Sequence, residues 1–344
     1  MSELAAPAHE IPVPKRDSDP PRAIYLAPDG STKRGLSPNE INRAVASGQG
    51  TLWLDLDVTC RPHVAILEHV CKFHPLTIED TLNPNSRVKL EEYPGYLFMI
   101  IRGVRFYEST EDPYDLETFN LCFYLGKHFL VTVHAGRSDA VEALAERIER
   151  SPDLMARGVD RLAHNIMDAA IDAYFPLLDQ LDEFVDSLEH RVFERFDQDA
   201  LRDIFGVKRT VLSLRRHLAP QREVFNILTN RPSPMLSPEA QIYFRDIHDH
   251  VLRINDSLET YRDLLSSTLD SYLTQVSNRL GQATKGLSLV ATVTLPFVII
   301  SGMWGMNFDI IPLQHHAAGF WLLLGIQVGV GLLLLAILRL ARLL

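Results

Sequence analysis

The sequence predicts an α/β cytoplasmic domain, followed by a long α-helical stalk and two C-terminal transmembrane helices. Three observations lead there. Residues 22–135 alternate short β-rich runs with short helical patterns. Residues 237–304 carry an apolar seam at helical spacing with no firm stop signal. Two later runs, Gly286–Met306 and Ala317–Leu338, hold no charged residue, and each is about the ~20 residues a helix needs to cross ~30 Å of hydrocarbon.

Composition sets the outer bounds. The chain has 344 residues, 23% of them charged and 46% apolar, which describes folded protein long enough for one large domain or two ordinary ones. A formal net charge of -10 argues against nucleic acid as a partner, because phosphates would be repelled. Cys60, Cys71 and Cys122 are an odd set with no CxxC pair, as expected of a reduced, cytosolic N-terminal part with no disulfide or zinc-ribbon framework. Residues 1–20 are Pro-rich and charged without an apolar core; they are expected to be a disordered tail, not a signal peptide.

The cytoplasmic α/β domain is expected over 21–157. Strands are predicted at 23–27, 51–56, 96–104, 118–125 and 128–133, and helices at 38–47, 61–73, 75–82 and 138–151. The last three strands read as a meander joined by turns such as Gly126-Lys127, within a mixed sheet. No GxGxxG, P-loop, HExxH or Ser/His/Asp arrangement occurs, and the thirteen histidines include no i, i+4 pair. No catalytic constellation is legible, so an enzyme is not expected.

Residues 158–236 read as an antiparallel helical pair. Its first member, 159–196, is acidic through Asp179, Asp182, Glu183, Asp186 and Glu189 and is interrupted at Pro176. The return, 199–229, is basic through Arg209, Arg215, Arg216, His217 and Arg222. Ser237-Pro238-Glu239 then starts the stalk, with Ser as N-cap, Pro at N1 and an acid near the positive end of the helix dipole. Apolar residues follow at Ile247, Val251, Ile254, Leu258, Tyr261, Leu265, Leu269, Tyr272, Val276 and Leu280, a near-coiled-coil seam. One helix from about 237 to 304 would span ~100 Å at 1.5 Å per residue, with Pro296 as a candidate bend. Its stalk part is 237–285 and its membrane part 286–306; an external loop, 307–316, leads to the second span, 317–338, and a cytoplasmic C-terminus, 339–344. Arg279 and Lys285 precede the first span, Arg339 and Arg342 follow the second, and the turn between them has no Lys or Arg. Both termini are therefore expected in the cytoplasm, with the turn outside.

The turn opens on Gly305-Met306-Asn307. A helix C-terminus carries unpaired carbonyls and about half a negative charge. Gly305 is free to leave the helical conformation, and Asn307 adds an amide oxygen. Several copies around an axis would make a ring of neutral oxygens able to meet a hydrated magnesium-like ion. The residues alone leave two readings open: an ion-selecting mouth, or a plain cap in a membrane hairpin.

Across nearly its whole length the chain resembles the CorA family of divalent-cation transporters. The resembling stretches are HPLTIEDTLNPNSRVKLEEY (74–93), YFRDIHDH (243–250), LDSYLTQVSNR (269–279) and GMNF (305–308). The resemblance implies a funnel-shaped CorA-like homopentamer in the cell inner membrane. Its selectivity filter would be Gly305, Met306 and Asn307. Its pore would be lined by Gly281, Thr284, Leu287, Ala291, Leu295, Val298 and Gly302, with Leu287 and Leu295 as the apolar gate and Asp270 ringing the cytoplasmic exit. It also implies a regulatory Mg2+ site between protomers at Glu79, Asp80 and Asp246, whose occupancy holds the gate shut. Its cargo would be Mg2+, with Co2+ and Ni2+ as further ions, drawn in by the membrane potential.

Departures from the family pattern sit at the mouth. Trp304 replaces the usual tyrosine, and Leu313 stands where the loop's glutamate would be. Asp309 is the loop's remaining acid, so a pentameric mouth would carry about five acids instead of ten, and cations would be concentrated less strongly. His315 and His316 add imidazoles there, either as interfacial polar residues or as groups favouring softer ions such as Zn2+. Two alternatives stay open beside the first reading: a ZntB-like zinc transporter, with or without proton coupling, and a membrane-anchored sensor or scaffold that transports nothing.

Overall fold

A computed structural model describes residues 20–106, 116–194, 197, 199–306, 312 and 316–340. It divides into two compact units, Met1–Thr268 and Leu269–Leu344.

In the first unit a sheet is built from β1 (Arg22–Leu26), β2 (Thr32–Arg34), β3 (Thr51–Asp57), β4 (Lys89–Tyr93), β5 (Tyr96–Phe106), β6 (Leu116–Gly126) and β7 (Phe129–His134) in the order β2-β1-β3-β7-β6-β5-β4. Only the central pair β3 and β7 is parallel among these neighbours. The expected meander is β5-β6-β7, with Leu125 opposite Leu130 across its last turn. Alternation along the strands gives the sheet two apolar faces. Leu52, Leu54, Leu56, Phe98, Ile100, Tyr124, Val131 and Val133 join one core with residues of α1 (Pro38–Ser47) and of the segments that follow β3. The opposite face is covered by α5 (Val159–Asp172), which packs on β3, β5, β6 and β7, and α4 (Asp139–Arg150) packs on α5.

The helix expected over 61–73 is broken. It runs as α2 (Arg61–Ala65), continues as a π turn (Ile66–Val70), and stops at Lys72, whose φ of 56° is left-handed. The next helix, α3, is Pro75–Leu82. Two strands, β2 and β4, were not expected. Both are edge strands, and their sequences TKR and KLEEY are those of charged edges that discourage further pairing, not of buried strands.

Pro176 separates α5 from α6 (Phe175–Glu194), as proline at the second position of a new helix can. The return helix α7 is Ala200–Asn230. At their junction Arg191 binds Asp197 and also donates to Asp203 at 2.7 Å. The long helix, α8, runs Pro238–Trp304. Its start is doubly capped: the Ser237 hydroxyl accepts from Ala240 N–H at 3.2 Å and donates to Asp160 at 2.6 Å. The seam residues Ile247, Val251, Ile254, Leu258, Tyr261 and Leu265 are buried, whereas Val276 and Leu280 are exposed in the single chain. The last helix, α9, is Gly319–Leu340.

Candidate functional site

α8, whose C-terminal part lies in the second unit, and α9 are both long and apolar enough to cross a membrane. Two contacts join them, and a third ties α8 to the segment between them. Phe297 sits against Gly331, where an added Cβ would lie 2.7 Å from the ring. Gln327 donates to the Ser301 hydroxyl at 2.7 Å. The Trp304 indole donates to the Pro312 carbonyl at 3.1 Å. These contacts define the covered side of α8, where Leu289, Val293, Pro296, Phe297, Ile300 and Trp304 are half-buried.

Gly281, Thr284, Leu287, Ala291, Leu295, Val298 and Gly302 are all exposed, Leu287 at 72%. On a helical wheel of about 100° per residue the two sets centre on directions roughly 180° apart. The candidate pore face is thus the face that α9 leaves bare. Asp270 is exposed as well.

Gly305 does not adopt a left-handed conformation. Its N–H still bonds to the Ser301 carbonyl at 3.0 Å, and Met306 N–H reaches the Met303 carbonyl at 3.5 Å, so α8 tightens at its end instead of flaring open. Asn307, Asp309 and His315 lie outside the described residues. His316 caps α9: its Nδ1 accepts from Ala318 N–H at 3.2 Å, which leaves one ring nitrogen for other partners.

The residues expected to form a regulatory site are in the first unit. Glu79 is exposed on α3, and Asp246 is exposed on α8. Asp80 is already engaged: it accepts from Lys89 Nζ at 2.7 Å and from the Ser86 hydroxyl at 3.3 Å, while Lys89 also donates to Glu91 at 2.9 Å. Partial burial works against the Lys89 ammonium, but its bonds to Asp80 and Glu91 outweigh that and hold its pKa above the ordinary lysine value. A metal at Asp80 would have to displace this ammonium.

One further cluster was not foreseen. Asp168 and Asp172, one turn apart on α5, face His250 of α8, and one ligand atom from each lies within 4.8 Å of the others. His250 Nδ1 is 3.0 Å from Asp172. Burial first, then the charge of Asp172, pushes the Asp168 carboxyl up, and Asp246 adds to the effect. Mutual repulsion of this kind is relieved when a dication binds, and two carboxylates with one imidazole suit such an ion. Sequence spacing could not reveal the set, because its members come from two helices about 80 residues apart; HDH at 248–250 beside Asp246 was the one local sign.

The cavity of about 590 Å³ beyond the carboxyl ends of β3 and β7 has a different character. It is lined by Asp55, His134, Arg22 and Glu142 among others. Its polar groups serve one another: Asp55 accepts from Thr132 at 2.7 Å and meets His134 Nε2 at 3.2 Å, and Arg22 donates to Glu142 at 2.9 Å.

The model of the CorA-like Mg2+ transporter protein family matches residues 48–340. The chain belongs to this family. Among CorA proteins, the cobalt/magnesium transport protein CorA of Thermotoga maritima is 30% identical over 276 residues, which cover 79% of this chain and 78% of that one. The fold is similar to that of the CorA magnesium transporter of Methanocaldococcus jannaschii, with a TM-score of 0.79 at 21% identity over 94% of this chain and 98% of the other. It is also similar to full-length CmaX, with a TM-score of 0.74 at 20% identity over 96% and 99%. The α/β domain, helical region and two apolar helices are those of a CorA fold, and the family places the protein among divalent-cation transporters.

Proposed function

We propose that this CorA-family chain assembles as a homopentamer in the cell inner membrane and conducts Mg2+ inward, with Co2+ and Ni2+ as further cargo. The observation that carries this reading is the bare face of α8. Seven positions implied to line a pore are exposed, on the side opposite the one α9 covers, in a helix that Gly-Met-Asn follows in the sequence. Five such faces turned to a common axis would enclose a passage, narrowed by Leu287 and Leu295, that closes by dewetting. Gly305, Met306 and Asn307 would form its outer ring of uncharged oxygens, with Asp309, His315 and His316 around it and Asp270 at the inner exit. Both chain ends would lie in the cytoplasm. The drive is the membrane potential: a dication moving inward gains about 4.6 kcal/mol per 100 mV, twice the single-charge figure.

Inside, acids of α3 and α8 would supply the sensor. Glu79 and Asp80 of one protomer would face Asp246 of the next, with Asp168, Asp172 and His250 beside it. Bound Mg2+ would neutralise this surface and favour the closed arrangement that presents the complete site.

The test is uptake into vesicles holding the purified full-length protein. Mg2+ should enter under an inward-negative potential, independently of any pH gradient, and Asn307→Ala should abolish entry while the assembly remains pentameric. Zn2+ entry that follows the pH gradient would replace this reading with a ZntB-like carrier. No flux of any dication would leave a membrane-anchored sensor.

A further inference from the structure

We propose that Gln327 is a positioning residue for the ion-selecting mouth: by donating to Ser301 it fixes the end of α8 and so places Gly305 and Met306. The inference rests on reading 305–307 as that mouth.

The last turn of α8 has little side-chain support of its own. Gly302 and Gly305 carry no Cβ, and an added Cβ at Gly302 would meet nothing within 4 Å. The turn is held through Ser301 and Trp304 instead. Ser301 acts in two directions at once. Its hydroxyl accepts from Gln327 Nε2 at 2.7 Å, and its carbonyl accepts from Gly305 N–H at 3.0 Å. Any shift of Ser301 is therefore passed along a backbone hydrogen bond to the first residue of the Gly-Met-Asn triplet.

Gln327 is the only amide side chain in α9, whose other residues before Arg339 are apolar or glycine. An amide in hydrocarbon is costly unless it is hydrogen-bonded to the protein, because no water is there to satisfy it. The bond to Ser301 satisfies it and also fixes the rotation of α8 about its axis. The neighbouring layer keeps the register. Phe297 is one turn inward of Ser301, and it packs on Gly331, one turn along from Gln327. That packing holds the helices together without the hydrogen bond, so loss of the bond should loosen the mouth and leave the hairpin assembled.

The experiment uses the full-length protein in lipid vesicles and measures uptake of Mg2+ and Ni2+ against concentration, with pentamer content checked in each preparation. Gln327→Leu and Ser301→Ala should each raise the half-saturating Mg2+ concentration by about threefold, the scale of one interhelical hydrogen bond in a membrane, and should narrow the difference between Mg2+ and Ni2+. The double variant should be no worse than either single one. Ser301→Thr, which keeps the hydroxyl, should behave as wild type. Wild-type half-saturation and selectivity in assembled Gln327→Leu would overturn the proposal, as would effects that multiply in the double variant. Should Gln327→Leu fail to assemble, Ser301→Ala against Ser301→Thr decides alone: no difference between them overturns the proposal. Asn307→Ala separates the two levels. If it leaves flux and selectivity intact, the mouth reading fails and takes this inference with it; if it abolishes flux while the Gln327 and Ser301 variants are silent, only the inference fails.

Discussion

His164 sits on α5 within van der Waals reach of the start of α8, its ring edge-on to Phe244 at 5.7 Å between centroids and to Tyr243 at 5.5 Å. Burial first, then the charge of Arg161, holds its pKa down at about 4. The folded state thus keeps a neutral imidazole where the unfolded chain titrates near ~6.5. The stabilisation is whole above the unfolded value and is lost as pH falls from there toward the folded value of about 4. His164→Phe retains the ring contacts and removes the titration. Its thermal unfolding temperature, measured on the detergent-solubilised protein, is expected to fall less between pH 7.5 and pH 5 than that of wild type; an equal fall would refute the assignment. Lys89 offers a second test at this scale. Its ammonium occupies the Asp80 carboxylate at 2.7 Å, so on the proposed sensor it competes with Mg2+. Lys89→Met should lower the Mg2+ concentration that protects the protein from proteolysis by about threefold, and a higher or unchanged concentration would separate Asp80 from metal binding.

Elements differ in how plainly the sequence announces them, and each case has a local cause. The start of α8 was legible because a Ser-Pro-Glu cap is a short-range signal. The acid beneath it was not: Asp160, 77 residues earlier, accepts from both the backbone and the hydroxyl of Ser237 at 2.9 and 2.6 Å. Ser237→Ala is therefore expected to cost more than the ~1 kcal/mol of an ordinary N-cap, because it also strips the buried Asp160 carboxylate of a hydroxyl donor. Urea unfolding of the full chain measures the difference, and a cost below ~0.5 kcal/mol would show the second layer to be idle. The edge strands β2 and β4 were missed because charge at a sheet edge reads locally as loop. The break at Ile66–Val70 was missed because the apolar spacing of ILEHV fits an α-helix and a π turn equally well. The seven positions on the bare face of α8 came from the family resemblance, and their gaps in the sequence only agree with a single helix face. The tight end at Gly305 was not legible, since glycine permits both a flared and a closed terminus.

For the molecule as a whole, the donors of the proposed inner site, Asp168, Asp172 and His250, would set which ions it answers. Mg2+ is a hard ion that prefers oxygen and retains much of its water, so it would draw mainly on Asp168, Asp172 and Asp246. Co2+ and Ni2+ bind imidazole far better, and His250 stands 3.0 Å from Asp172 with the Phe175 ring packed edge-on against it at 5.3 Å between centroids. The same patch should therefore answer both kinds of ion through different donors. Protection of the full-length, membrane-reconstituted protein against protease, titrated with each ion in turn, reads this out. In His250→Phe the Co2+ concentration needed for half protection should rise about tenfold or more, while the Mg2+ concentration changes less than about twofold, in keeping with the softness of the donor removed. Asp168→Asn should reverse the emphasis and weaken Mg2+ at least as much as Co2+, because it removes a charge that both ions use. Equal losses for the two ions in His250→Phe would mean that the imidazole only braces Asp172 and that regulation runs through the carboxylates alone.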